Sequence, residues 1–391
     1  MYVHVLNSSG MKLPLASNTF EIKTRKQIQI IQKAGIQELF IDTVKGIDPD
    51  EPDTTNNPEK IEEPQVSDVK EESIQVCSLE DELGNAAKIK KDASKIVSKI
   101  MKDAQLGHQI ELDQASTLVE SMLKSTIRNK DALIGLTRIR QLDKYNLEHS
   151  VSTSILLTAF CWHLNFPLEE VIQIGLGGFL CDIGKIKVPQ NILNKAGKLT
   201  EQEHEIIKKH VNYGLEMLEN TPGITDIILD IARDHHERID GSGYPDGKSG
   251  DDISVYGQMA AIIDTYDALT SNRVYKKKIS PSQALKKLVS LGNSSFDSEL
   301  VQNFIHFIGI YPIGTLVSLS DGNFAVVIES SNESLLPKVR VIFNSIKRSF
   351  LTPKDIELSN LQGEKKLKII GAIDPAKWRI DPANFLPHRH Y

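Results

Sequence analysis

The chain has 391 residues, 40% hydrophobic and 25% charged, enough for two or three domains and a sizeable core. Its longest apolar stretch, Val171 to Cys181, is too short and too interrupted by Gly and Gln173 to cross a bilayer, and the N-terminus lacks a signal-peptide pattern. A cytoplasmic location with no membrane partner is therefore expected. The net charge of −6 is uneven: Asp48 to Glu82 holds 13 acidic and 2 basic residues, so the remainder sits at about +5, without the basic stripe and interleaved aromatics of a nucleic-acid binder.

In chain order, MYVHVL reads as a strand, RKQIQIIQKAGI as an amphipathic helix with a glycine stop, and QELFID as a second strand, which predicts a small α/β module over 1–47. It has no glycine-rich phosphate loop, and a structural or sensory role is expected. The stretch DPDEPDTTNNPEKIEEPQVSDVKEES has four prolines and almost no large apolar residues, so 48–85 is read as an acidic disordered linker. From 86 to 310 the pattern is helical, with seven or more helices. Thr200-x-x-Glu203 is a capping box, and Ser280-Pro281-x-Gln283 supplies an N-cap, an N1 proline and a polar N3 residue. From 311 to 391 short β-rich runs such as YPIGTLVSLSDG, NFAVVIESS and PKVRVIF predict a small sheet or hairpin. The fold class is mainly α: a helical bundle with a small α/β module before it and a β-rich segment after it.

Three cysteines, Cys77, Cys161 and Cys181, are too sparse for a disulfide framework or a zinc knuckle. The helical region instead carries His149, Asp182, His210, His235, His236 and Asp264, with intervals of 25 to 33 residues between successive elements. That interval is about one helix plus a loop, so successive helices of a bundle can bring these groups to one point. Imidazole and carboxylate together suit a divalent transition metal, and Asp182, with two oxygens, can bridge two ions. Taken singly, His149 reads more readily as an ordinary hydrogen-bonded histidine than as a ligand, and His163 and His306 are left out on that ground. His235-His236 precedes a glycine-rich loop, IDGSGYPDGKSG, that lets backbone approach a ligand closely. Asp264 lies on an apolar helix, where a carboxylate needs a partner, and Asp267 is read as a supporting group.

The strings NILNKAGKLT, HHERIDGSGYPDG and DTYDALTSNRVYK, in that order, resemble the HD-GYP family of bacterial cyclic-dinucleotide phosphodiesterases, a branch of the HD metal-dependent phosphohydrolases. The resemblance covers roughly Arg128 to Val341. The first 45 or so residues are similar to the small domain that precedes this catalytic domain in many members, and on that comparison the chain is expected to begin inside its first strand. The resemblance implies an HD-type bundle and two divalent metal ions, iron or manganese. His149, Cys181, Asp182 and Asp264 stand where one ion's ligands would be; Asp182, His210, His235 and His236 stand where the other's would be. It further implies that Lys185 contacts substrate phosphate or assists the leaving group. Gly243-Tyr244-Pro245 is the signature loop, and Arg273 matches a phosphate-facing cation, with a surface salt bridge as the other reading of that residue. The implied reaction is hydrolysis of cyclic di-GMP or mixed 3'3'-cyclic GMP-AMP by a metal-bridged hydroxide, to the linear dinucleotide and, in a second round, mononucleotides.

Two positions depart from the family pattern. Cys181 stands where the family has histidine, and Tyr145 where members with a third metal have glutamate, which argues for at most two ions. The cysteine is either a thiolate ligand or a buried inert thiol. With it, a second reading stays open: a catalytically weak or inactive receptor for a cyclic dinucleotide, or a module that binds nucleotide cyclases of the GGDEF type. A homodimer is the default oligomeric expectation.

Overall fold

The computed structural model describes residues 2–6, 20–21, 39–41, 75–140, 145–272, 278–292, 294–331, 335–361 and 367–390. The chain divides into two compact units, Met1–Glu71 and Glu72–Tyr391. In the first, strand β1 (Tyr2–Leu6) lies between β2 (Phe20–Glu21) and β3 (Leu39–Ile41), antiparallel to both. β1 and β3 are the two strands expected from MYVHVL and QELFID. The helix expected over RKQIQIIQKAGI, residues 48–74 of the expected linker, and Arg273 lie outside the described residues.

The second unit opens with α1 (Leu79–Gln105), ahead of the expected start at Ala86. The Ser78 side chain caps it by accepting from the Asp81 N–H at 3.2 Å, and Glu80, Asp81 and Glu82 sit favourably at the positive end of the helix dipole. The acidic run that reads as linker by composition thus ends as a helix N-terminus. Leu79, Leu83, Ala86, Ile89, Ala93, Val97 and Ile100 recur at three- and four-residue steps and form the buried stripe. Beside that stripe, buried Glu82 accepts from Arg128 Nε at 2.7 Å, Ser125 Oγ at 2.6 Å and Asn85 Nδ2 at 2.6 Å, which ties α1 to α2 (Asp113–Arg128). Burial would raise the Glu82 carboxyl, but these hydrogen bonds prevail and hold it below the usual range. Glu82 therefore stabilises the fold above the ordinary carboxyl pKa, and the contribution fades as pH falls through the lowered folded value. Glu82→Ala is expected to cost about 2–3 kcal/mol at neutral pH. Urea titrations should show that deficit shrinking below about pH 4, the range of a free carboxyl. A pH-independent deficit would mean that packing, not the charge, is at stake.

After α3 (Lys130–Leu136), helix α4 (Tyr145–His163) runs through the centre, buried on every side from Glu148 to Cys161. Its small polar residues let α5 (Leu168–Leu180) pack closely, and Ser154 Oγ donates to the Gly175 carbonyl at 2.7 Å. A 3-10 helix (Ile183–Lys187) and the short α6 (Gln190–Leu193) follow, then α7 (Glu201–Lys208), α8 (His210–Leu218), α9 (Asp226–Asp234), α10 (Val255–Thr270), α11 (Pro281–Leu291) and α12 (Ser298–Ile308). Both expected capping devices are present: the reciprocal Thr200–Glu203 box opens α7, and the Ser280–Gln283 box, with Pro281, opens α11. Among the described residues no helix is long and apolar enough to cross a membrane.

The β-rich segment forms a five-stranded antiparallel sheet in the order β7-β6-β5-β4-β8, with β4 Leu316–Leu319, β5 Asn323–Glu329, β6 Lys338–Asn344, β7 Ser349–Glu357 and β8 Ile369–Ala372. Along β5 the alternation of a strand sends Phe324, Val326 and Ile328 to one core and Ala325 and Val327 to another. The chain then closes through α13 (Pro375–Trp378) and two 3-10 turns. The buried His388 of the last turn has its Nε2 3.0 Å from the Asp131 carbonyl of α3. The molecule is the mainly helical bundle with a small C-terminal sheet that the sequence pattern indicates.

Candidate metal centre

Asp182 lies where α5 ends and the 3-10 helix begins, and it is buried. Its Oδ2 accepts from Lys185 Nζ at 2.6 Å and is 3.4 Å from His149 Nε2; its Oδ1 is 3.3 Å from His210 Nε2 and 3.6 Å from His235 Nε2. Burial would raise this carboxyl, but the Lys185 ammonium and the surrounding imidazoles together outweigh it and the acid is held well below the usual range.

The histidines are oriented from behind. His210, first residue of α8, has Nδ1 2.7 Å from the Ile207 carbonyl, and His235, just past α9, has Nδ1 3.0 Å from the Ala232 carbonyl. Those carbonyls fix the Nδ1–H tautomers, so both Nε2 lone pairs point at Asp182 Oδ1. Oδ1 is itself buried with no hydrogen-bond partner. Two lone pairs facing a carboxylate oxygen repel one another unless a cation lies between them. Burial also pushes His210 and His236 downward, which keeps them neutral. One donor atom from each of Asp182, His210, His235 and His236 lies within 4.8 Å of every other, and this set, buried except for the half-buried His236, fits a divalent transition ion.

His149 and Asp264 meet the same point from α4 and α10. His149 Nε2 is 2.9 Å from Asp264 Oδ1, and His236 Nδ1 is 3.7 Å from Asp264 Oδ2. On its far side His149 donates from Nδ1 to Asp267 Oδ2 at 2.6 Å, and Asp267 is gripped by both terminal nitrogens of Arg140. Burial would lower the His149 pKa, but the two carboxylates prevail and raise it to about 9. Burial would raise both acids, but Asp267, where Arg140 and His149 together outweigh burial, is lowered to about 2, and Asp264, hydrogen-bonded to His149, lies far below the usual range. The supporting role read for Asp267 thus has a geometry, and Arg140, absent from the sequence reading, completes it. Asp267→Asn is expected to lower metal affinity about 10–100-fold, the usual effect of removing a carboxylate behind a ligating histidine. Arg140→Ala should act in the same direction, and titration with Mn(II) followed by calorimetry measures both.

Cys181 is set apart from these donors. The converging group found among the described residues does not include it, its Sγ donates to the Gly178 carbonyl at 3.7 Å, and its side chain belongs to the apolar core that holds Ile231 and Ile263. Burial, together with the charges of Asp182 and Asp264, pushes the thiol well above its ordinary pKa.

The signature loop lies over the histidine pair. The Tyr244 ring is 4.6 Å from the His236 ring at 32°, and Lys208 Nζ is 5.5 Å above Tyr244. The Tyr244–Pro245 peptide is cis. A Cβ on Gly243 would overlap Glu237 Cα and the Arg238 nitrogen, so only glycine lets the loop lie this close to the histidine turn. Buried Glu237 staples the loop by accepting from the Asp246 and Gly247 N–H groups at 2.8 and 3.1 Å, and Asp234 accepts from Lys248 Nζ at 2.7 Å. Sequence reading missed both staples; the only signal was two acids flanking the histidine pair.

Residues 121–300 match a family model described as HD domain, and residues 1–115 one described as a domain of unknown function (DUF3391). A protein of Pseudomonas aeruginosa named as a cyclic di-GMP phosphodiesterase is 35% identical over 347 residues, which are 88% of this chain and 83% of that one. The chain belongs to the HD-GYP family. A relative of this HD-GYP chain, named in Vibrio cholerae as a 3'3'-cGAMP-specific phosphodiesterase, is 41% identical over 32% of this chain and 24% of its own length. Among solved structures, Bd1817, a HDG"Y"P protein from Bdellovibrio bacteriovorus, matches with a TM-score of 0.48 and 18% identity over 61% of this chain and 73% of that one.

Proposed function

We propose that this HD-GYP chain is a metal-dependent phosphodiesterase that opens a cyclic dinucleotide, cyclic di-GMP or the mixed 3'3'-cyclic GMP-AMP, to the linear dinucleotide. The observation that carries the reading is Asp182 Oδ1, buried without a hydrogen bond and faced by two imidazole lone pairs. Relatives named for both substrates support the reaction class and leave the choice of base open.

In this reading Asp182, His210, His235 and His236 hold one ion, and His149, Asp182 and Asp264 hold the second, iron or manganese in each case. When bound, such a pair acidifies water and neutralises the phosphodiester. The protein's part is placement. Carbonyls and the Arg140–Asp267 pair hold the imidazoles in their ligating tautomers, while Lys185 keeps Asp182 ionised and offers an ammonium to a phosphate oxygen. Tyr244, laid on His236 by the stapled loop, forms an aromatic wall for a base. Cys181 is assigned as a core filler rather than a ligand.

Anaerobic loading with Fe(II) or Mn(II), followed by chromatography of cyclic di-GMP and 3'3'-cyclic GMP-AMP incubations, tests the proposal. Linear product is expected, and Cys181→Ala should leave the metal-to-protein ratio unchanged. Tight binding without turnover under every metal condition would favour the receptor reading, and loss of an ion in Cys181→Ala would restore the thiol as a ligand.

A further inference from the structure

A second cavity, of about 550 Å³, opens between the end of α10, the start of α11 and the C-terminal segment. It is of ordinary size for a small-molecule site. Ile279, Ile380, Pro382 and Leu386 make its apolar wall, and Arg138 lines it from the segment after α3.

Arg138 and Arg140 are two residues apart and differ in kind. Arg140 is committed to Asp267. The Arg138 guanidinium lies 5.9 Å from the centre of the Tyr266 ring, and among the described residues it has no hydrogen-bond or ion-pair partner. Five N–H donors on a half-buried cation with no acceptor are costly to keep, and an anion entering the cavity would satisfy them. Burial depresses the Arg138 pKa from its ordinary value, in keeping with an unpaired site.

One further feature favours negative charge in the same space. Ser280, Pro281 and Gln283 bring the N-terminus of the 11-residue α11 to the cavity, and with it the positive end of a helix dipole. Lys278, which also lines the cavity, is ion-paired with Asp381 at 3.3 Å, so this pair brings no net charge to it. The two acids in the lining are engaged locally: Asp374 accepts from the Ala376 N–H at 3.0 Å and Asp381 from the Ala383 N–H at 3.3 Å. We infer that this cavity binds a small organic anion, with one carboxylate or phosphate group on Arg138 and an apolar body against Ile279, Ile380 and Leu386. The inference is independent of the hydrolysis proposed above, because none of the groups assigned to the metals lines this cavity.

The probe is 8-anilinonaphthalene-1-sulfonate, an anion with an apolar body, titrated by fluorescence into the full chain. Saturable one-to-one binding is expected, weakened about ten-fold or more in Arg138→Met, the scale of one charge-assisted hydrogen bond. Ala383→Trp, which fills the cavity from its rim and keeps the guanidinium, should weaken binding as well. Asp182→Asn should bind as the parent does, which separates this site from the metal centre. Octanoate and GMP serve as competitors: displacement by the first marks a carboxylate site and by the second a phosphate site. Absence of saturable binding, binding that survives both cavity substitutions, or failure of both competitors would overturn the proposal.

Discussion

Asp182→Asn is expected to abolish phosphodiesterase activity, by roughly 10³-fold or more, in a chain that remains folded. Asparagine keeps the shape of the side chain, so the packing around the end of α5 is preserved. It removes one formal charge and replaces one oxygen with an amide. Two imidazoles and the Lys185 ammonium converge on the two carboxylate oxygens, at 3.3, 3.6 and 2.6 Å. Ligation at both proposed ions depends on this one carboxylate, and metal chemistry of this kind supplies several kcal/mol of transition-state stabilisation, at about 1.4 kcal/mol per ten-fold in rate. Metal analysis should show both ions depleted, a result that loss of a general acid alone would not produce. A variant with full metal content and turnover would remove Asp182 from the centre of the site.

How much of this was legible in the sequence depended on the range of each interaction. The capping devices at Thr200 and Ser280 are local, and three residues of text suffice to read them. The histidines and aspartates that converge at the candidate site were legible because the resemblance rests on long ordered strings. Asp267 was read as a supporting group, but the partners on either side of it stayed hidden. Arg140 meets Asp267 across 127 positions, and Asp267 meets His149 across 118, with no periodicity to mark either pair. The same is true of β8, which pairs with β4 as Val317 opposite Ala372 and sets the sheet edge from the far end of the segment. α1 was misjudged at its start for a different reason: composition reports an acidic run as unfavourable for folding, whereas three acids after Ser78 are favourable when a helix begins there. Cys181 stood out in the sequence because it breaks a pattern, but only its surroundings distinguish a ligand from a core residue.

Gly184→Ala is expected to be the most damaging single-methyl change near the site, while Gly214→Ala, its neighbour in space, is expected to be tolerated. Gly184 lies where the 3-10 helix crosses α8, and a Cβ there would overlap the His210 carbonyl oxygen and the Gly214 nitrogen. Both are backbone atoms and cannot rotate away, so the two helices must separate, at a cost of about 3 kcal/mol or more. Separation also acts directly on the site, because Asp182 precedes the 3-10 helix and His210 opens α8, and their facing atoms are only 3.3 Å apart. A Cβ on Gly214 meets nothing closer than the Gly184 nitrogen at 3.4 Å, and within α8 alanine is favoured over glycine by up to about 1 kcal/mol. Thermal melts with and without Mn(II) separate the two effects. Gly184→Ala should lower the melting temperature and lose most of the metal-induced rise, whereas Gly214→Ala should keep that rise in full. Equal behaviour of the two variants would mean that the close crossing of these helices is not what aligns Asp182 with His210.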